Sequence, residues 1–147
     1  MSDQAFQDFR QDFALLVEAG FIAVKQLDEI SAKRLFQAAQ LLNPTSTAPK
    51  VGLGYICLNK LEVKEATKIF EEIVQQEPED DLSGTFLGIC WLLTKPKRKK
   101  GEKLILDIMK RTTNPTVKNL GAISLEWAEK DLCKKEVPFF GAKMEKD

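Results

Sequence analysis

The sequence predicts an all-α fold of repeated helix pairs, on three observations. Gly20, Gly54 and Gly88 recur at intervals of 34 residues. Ala32 and Ala66, Phe36 and Phe70, and Pro44 and Pro78 stand 34 apart as well, so two complete windows read Gly, Ala, Phe, Pro at matched positions. The composition, 147 residues with 44% hydrophobic and 30% charged, is that of a soluble globular chain sized for one domain.

A period of 34 with this signature is the tetratricopeptide pattern, a pair of antiparallel helices per repeat. The residue types suit it. Small glycine and alanine side chains let paired helices approach closely, phenylalanine fills the space between them, and proline stops the second helix. A glycine inside a helix costs up to ~1 kcal/mol relative to alanine, so three at fixed spacing point to a packing purpose.

Each element then follows in order. Residues 3–25 read as one long helix that begins with an extension ahead of the first repeat, and 29–42 as its partner, ended by Asn43-Pro44. Residues 47–59 and 62–76 form the second pair, ended by Glu77-Pro78. Residues 80–94 and about 99–112 form a degraded third pair, in which Lys95-Pro96 breaks the helix, Gly101 stands in for the small alanine and Asn114-Pro115 ends the unit three residues late. Residues 116–134 are expected to cap the stack through a buried face of Leu120, Ile123, Trp127 and Leu132. The expected organisation is a single tetratricopeptide-like domain over 1–134, a stack of three helix pairs (repeats about 13–46, 47–80 and 81–115) with an N-terminal helical extension and a C-terminal capping helix. A flexible tail, 135–147, follows.

Stacked helix pairs curve, and the first helix of each pair lines the concave side. In tetratricopeptide arrays the groove positions are the second, fifth, ninth and twelfth of each repeat. Counting from Phe13, Thr47 and Asp81, they are Ala14, Val17, Phe21 and Val24; Ala48, Val51, Tyr55 and Leu58; and Leu82, Thr85, Ile89 and Leu92. All but Thr85 are apolar or aromatic, and none is Lys, Arg or Asn. That excludes a clamp for a partner's C-terminal carboxylates. It predicts an apolar surface suited to an amphipathic helix or extended apolar segment, unless the chain's own ends or a second copy cover it. Phe6, Phe9 and Phe13 share one face of the extension and either cap the first repeat or offer a dimer or second-partner surface.

Other chemistry is thin. With no histidine, Ser-His-Asp and Cys-His nucleophiles and His-bearing zinc sites are excluded. Cys57, Cys90 and Cys133 form no CxxC pair and read as small hydrophobes of a reducing compartment. Lys plus Arg equals Asp plus Glu at 22 each, so no global field recruits nucleic acid or membrane. The first twenty residues carry acids and no unbroken apolar run, from which no signal peptide, no membrane insertion and a cytoplasmic location are expected. The basic run KPKRKKGEK, Lys95 to Lys103, reads as a solvated loop between helices or a contact to an acidic partner. Gly52-Leu53-Gly54 and the segment from Gly84 to Gly88 fall inside expected helices, which excludes phosphate loops. Nothing suggests an enzyme or a cofactor.

The stretch from Leu16 to Trp91, with VEAGFIAVKQLDEISAKRLFQAAQLLNP followed by VGLGYICLNKLEVKEATKIFEEIVQQEP and LGICWLL, resembles the small tetratricopeptide chaperones of bacterial type III secretion. SLEWAEKDL and the short chain resemble the branch, of chlamydial type, that binds the needle subunit. The translocator-binding branch, second in likeness, commonly carries more tyrosine than the single Tyr55 found here, and a more regular third repeat. The resemblance implies a cytosolic, non-catalytic chaperone that binds an apolar helix of a secreted needle subunit, with a second small co-chaperone or as a homodimer when free. Val17, Phe21, Val24, Val51, Tyr55, Leu58, Leu82, Ile89 and Leu92 would carry the contact. A scaffold joining folded partners is the competing function, and it would predict a polar concave face.

Overall fold

The computed structural model describes residues 2–132. Among the described residues seven α-helices follow one another: α1 (Asp3–Lys25), α2 (Glu29–Leu42), α3 (Ala48–Asn59), α4 (Val63–Gln76), α5 (Asp81–Leu92), α6 (Arg98–Arg111) and α7 (Pro115–Trp127). A 3-10 turn, Lys95–Lys97, leads into α6, and a π-helical turn, Ala128–Leu132, follows α7. Among the described residues there is no strand, and the fold is all-α and tetratricopeptide-like. The expected tail at 135–147 and the last two residues of the expected capping helix lie outside the described residues.

The helix boundaries follow local chemistry. The Ser2 hydroxyl accepts from the Ala5 N–H at 3.1 Å, and the Asp28 carboxylate from the Ser31 N–H at 3.1 Å, which starts α1 and α2. Asp80 does the same for α5 through the Ser83 N–H at 3.2 Å, and Asn114 for α7 through the Thr116 N–H at 2.8 Å with Pro115 in the first turn. Asn43-Pro44 and Glu77-Pro78 end α2 and α4 because the residue before a proline is disfavoured in helical conformation. α5 stops at Leu92, short of the expected residue 94, and the Thr94 hydroxyl donates to the Cys90 carbonyl at 2.9 Å.

The helices group into two compact units, Met1–Glu77 and Pro78–Asp147. In the first unit α1 packs on α2 and α3 on α4, with α3 also touching α1 and α2. Phe36 of α2 is fully buried where Gly20 of α1 and Gly52 of α3 leave space. A Cβ on Gly20 would sit 2.5 Å from the ring, and one on Gly52 would meet the same ring. Phe70 of α4 fills the gap at Gly54 in the same way, with 2.8 Å to a hypothetical Cβ. The recurring glycines are therefore sockets for the phenylalanine of the second helix.

In the second unit α5 pairs with α6, and α7 packs on both. Ile105 and Ile108 of α6, both fully buried, take the place of phenylalanine against Gly88 and Gly84. Gly101 replaces the repeat alanine as expected. A Cβ there would lie 2.6 Å from the Gly88 carbonyl oxygen and 2.8 Å from the Leu92 nitrogen, so α5 and α6 touch backbone to backbone.

The buried face of α7 differs from the expected one. Ile123 is 56% exposed and Trp127 38% exposed, while Leu120 and Leu132 are half-buried. Val117, Gly121, Ser124 and Ala128 are buried instead. This stripe of small residues brings α7 close to α6, with Met109 and Ile105 lying where a Gly121 Cβ would go. Close approach selects small side chains there and turns the larger ones outward.

Candidate partner-binding surface

Six of the nine expected contact residues belong to the first unit. Val17, Phe21 and Val24 lie on α1, and Val51, Tyr55 and Leu58 on α3, a helix that packs beside α1; all six are half-buried. The inward side of this row is held by the core of Ala23, Ala32, Phe36 and Ile56. Phe21 and Val24 pack on that core, and the Phe21 ring meets Phe36 edge-on at 5.0 Å between centroids and 70° between planes. Ala14 is exposed and Ala48 half-buried. The row thus carries half-buried apolar side chains, of which Phe21 and Val24 are anchored on the core.

The second unit contributes less. Leu82 and Ile89 on α5 are half-buried, and Thr85 is buried with its hydroxyl donating to the Asp81 carbonyl at 2.8 Å. Leu92 is not a contact residue. Its side chain is fully buried with Ile105 and Ala128, and Leu125 and Leu132 pack on the same cluster. The π-helical turn after α7 places Ala128 on Leu92. That turn is fastened by Arg98, whose Nε donates to the Leu92 carbonyl at 2.9 Å and Nη1 to the Leu132 carbonyl at 3.4 Å.

Arg98 also changes the reading of the basic run, since α6 begins within it and only Lys95–Lys97 forms the connecting turn. Lys100 holds its ammonium 4.9 Å from the Trp91 ring centre, and Lys103 pairs with Asp107 at 3.0 Å. Half of the six basic side chains of the run therefore have internal roles. On the extension, Phe6 is 49% exposed with the Arg10 guanidinium 5.7 Å from its ring centre, and Phe9 and Phe13 are half-buried.

Beside the row, at the ends of α1 and α3, lies a pocket of about 190 Å³ lined by Val24, Leu27, Glu29, Ile56, Asn59 and Lys60. Its rim is an ion-pair cluster: Glu29 Oε2 lies 2.9 Å from both Lys33 Nζ and Lys60 Nζ, and Lys60 reaches Glu62 at 3.2 Å. Lys33 and then Lys60 hold the Glu29 carboxyl below the usual range, and Glu29 and Glu62 raise Lys60. Leu27 is 89% exposed, in the range of Leu41 at 84% in the same unit. A positive φ, shared with Leu61, sets it apart from Leu41, and sequence spacing carries no sign of that beyond the interval of 34 residues between the two leucines.

Burial raises the Cys57 thiol above its ordinary range, away from the reactive thiolate, and Cys90 is buried; Cys133 lies outside the described residues. Among the described residues no group of three or more Cys, Asp or Glu side chains is placed to hold a metal ion, and no helix is long and apolar enough to cross a membrane. No family model, curated protein or solved structure matches this chain.

Proposed function

We propose that the chain is a cytosolic chaperone of type III secretion that binds an apolar helix of an export substrate, a needle subunit, and so blocks premature assembly. The observation that carries this reading is the uncharged row on α1 and α3, where Val17, Phe21, Val24, Val51, Tyr55 and Leu58 are each half-open to solvent. Half-buried aliphatic and aromatic side chains with no charge among them, Phe21 and Val24 held in place by the core, suit the apolar face of an amphipathic helix. Assembly of a needle subunit requires such a face to be exposed, and covering it leaves the subunit unable to polymerise. No covalent chemistry is needed.

The test is affinity purification of the tagged chain from its host, with the mass of the complex. Stoichiometric recovery of a small helical secreted protein, with or without a second small chaperone, is the expected outcome. A large partner with apolar membrane segments would move the reading to translocator cargo, and folded cytosolic partners alone would replace it with a scaffold. Tyr55→Asp is expected to lower cargo recovery at least about tenfold by placing a charge against an apolar surface. Helicity by circular dichroism is expected to stay unchanged, and unaltered recovery would remove the row from the mechanism.

A further inference from the structure

Helices α1 and α3 end in the same strained way. Leu27 and Leu61 both have positive φ, 62° and 60°. In each turn the following N–H donates five residues back, Asp28 to the Ala23 carbonyl and Glu62 to the Cys57 carbonyl, both at 2.9 Å. Helices commonly end through such a left-handed residue, and glycine occupies it without the clash that a leucine Cβ meets. Here the strain is combined with exposure, 89% for Leu27 and 71% for Leu61, so burial within the unit offsets neither.

The two turns differ in what lies beside them. Leu27 walls the 190 Å³ pocket with Val24 and Ile56, whereas Leu61 borders a wider, more open depression of about 560 Å³ whose other lining residues, Glu62, Val63, Lys64 and Glu65, are mostly charged. The pocket is smaller than the ~300–1,000 Å³ of small-molecule sites and has the scale of one large side chain. Val24, Leu27 and Ile56 give it an aliphatic wall, with Asn59 and the paired Glu29 and Lys60 at its edge, so an ionised group entering it would lose water and meet only charges already engaged with one another. It is also continuous with the row: Val24 belongs to both, and Leu58 of the row directly precedes Asn59 of the rim.

We infer that this pocket receives one large aliphatic side chain, leucine, isoleucine or methionine, from the partner segment that lies along α1 and α3, with Leu27 closing over it. The left-handed turn projects Leu27 away from its own core, where it is available to the incoming side chain. The inference rests on the chaperone reading for the identity of the segment, but the pocket's chemistry stands apart from it.

The experiment is a methyl-resolved NMR titration of the full chain with N-acetyl-L-leucine amide and, separately, N-acetyl-L-lysine amide. The leucine probe is expected to shift the methyls of Val24, Leu27 and Ile56 saturably, and the lysine probe to leave them in place. Leu27→Gly is expected to weaken the leucine probe about tenfold through loss of one apolar wall, without lowering the melting temperature, because glycine suits a φ of 62°. Leu61→Gly is expected to leave the response intact. Absent shifts, or shifts confined to Val17, Val51 and Leu58, would overturn the pocket, and a lowered melting temperature for Leu27→Gly would show that the leucine serves folding instead. The probes contain no cargo, so failure of the chaperone reading and failure of the pocket give different results.

Discussion

In the first unit the gap between helices is filled by a phenylalanine ring, and in the second by isoleucine side chains and by backbone set against backbone. Phe36 reaches from α2 into the sockets of Gly20 and Gly52, while Gly101 of α6 rests on the Gly88 carbonyl of α5. A ring in a socket is a removable part, because the space it fills exists only for it. Backbone contact has no part to remove. The two solutions should therefore answer differently to the same kinds of substitution, although both serve a helix pair of the same repeat.

The largest expected effect comes from emptying a socket. Phe36→Ala leaves a void bounded by α1, α2 and α3 and should destabilise by about 3–5 kcal/mol, read by urea denaturation at constant m. A loss below about 1 kcal/mol would mean that the helices close the gap and that the glycines have no socket role. Next in size is Gly101→Ala, expected to cost about 1–3 kcal/mol or more, since the added methyl meets the Gly88 oxygen and Leu92 nitrogen and only backbone shifts relieve it.

The contrast is sharpest in a double-mutant cycle. Gly20→Ala forces the added methyl against the Phe36 ring. In a Phe36→Ala background that clash disappears and the methyl fills part of the void. The pair should therefore be coupled by about 1 kcal/mol or more in the favourable direction. Gly101→Ala placed in an Ile105→Val background should show no comparable rescue, because its clash is with atoms that no side-chain truncation removes.

Much of this arrangement is legible in the sequence. Capping residues such as Asp28 and Asn114, and prolines 44, 78 and 115, mark helix ends by local chemistry, so α1 and α2 fall at the expected residues. That six uncharged residues half-buried on α1 and α3 form one series is legible too, because their positions follow from repeat register alone. Leu92 and the outer face of α7 were not. Apolar spacing marks a face but not its depth, and it is the small residues Gly121, Ser124 and Ala128 that allow α7 to approach, leaving Ile123 and Trp127 outside and covering Leu92. The Leu27 turn was hidden for another reason: leucine is an ordinary helix residue, and only the backbone reveals that it sits where glycine would be at ease.

The smallest expected effect separates α2 of the first unit from α7 of the second through their caps. Asp28 caps α2 and its carboxyl is held below the usual range, first by the Ser31 side-chain hydrogen bond and then by the Ser31 backbone N–H. A carboxyl whose folded pKa is depressed contributes stability above its unfolded value, about 4, and loses that contribution as pH falls through the lower folded value. Glu29, in the first turn of the same helix, is shifted in the same direction by Lys33 and Lys60. The cap of α7 is Asn114, which has no proton to gain. Backbone carbon shifts at the first turn of α2 should therefore move toward coil as pH drops below about 4, while those at the first turn of α7 stay helical over the same range. Asp28→Asn keeps an acceptor for the Ser31 N–H and removes the titration, so it should flatten the response of α2. An unflattened response would assign the acid sensitivity to the Glu29 ion pairs on the pocket rim, where loss of charge on Glu29 frees Lys60 toward Glu62 alone.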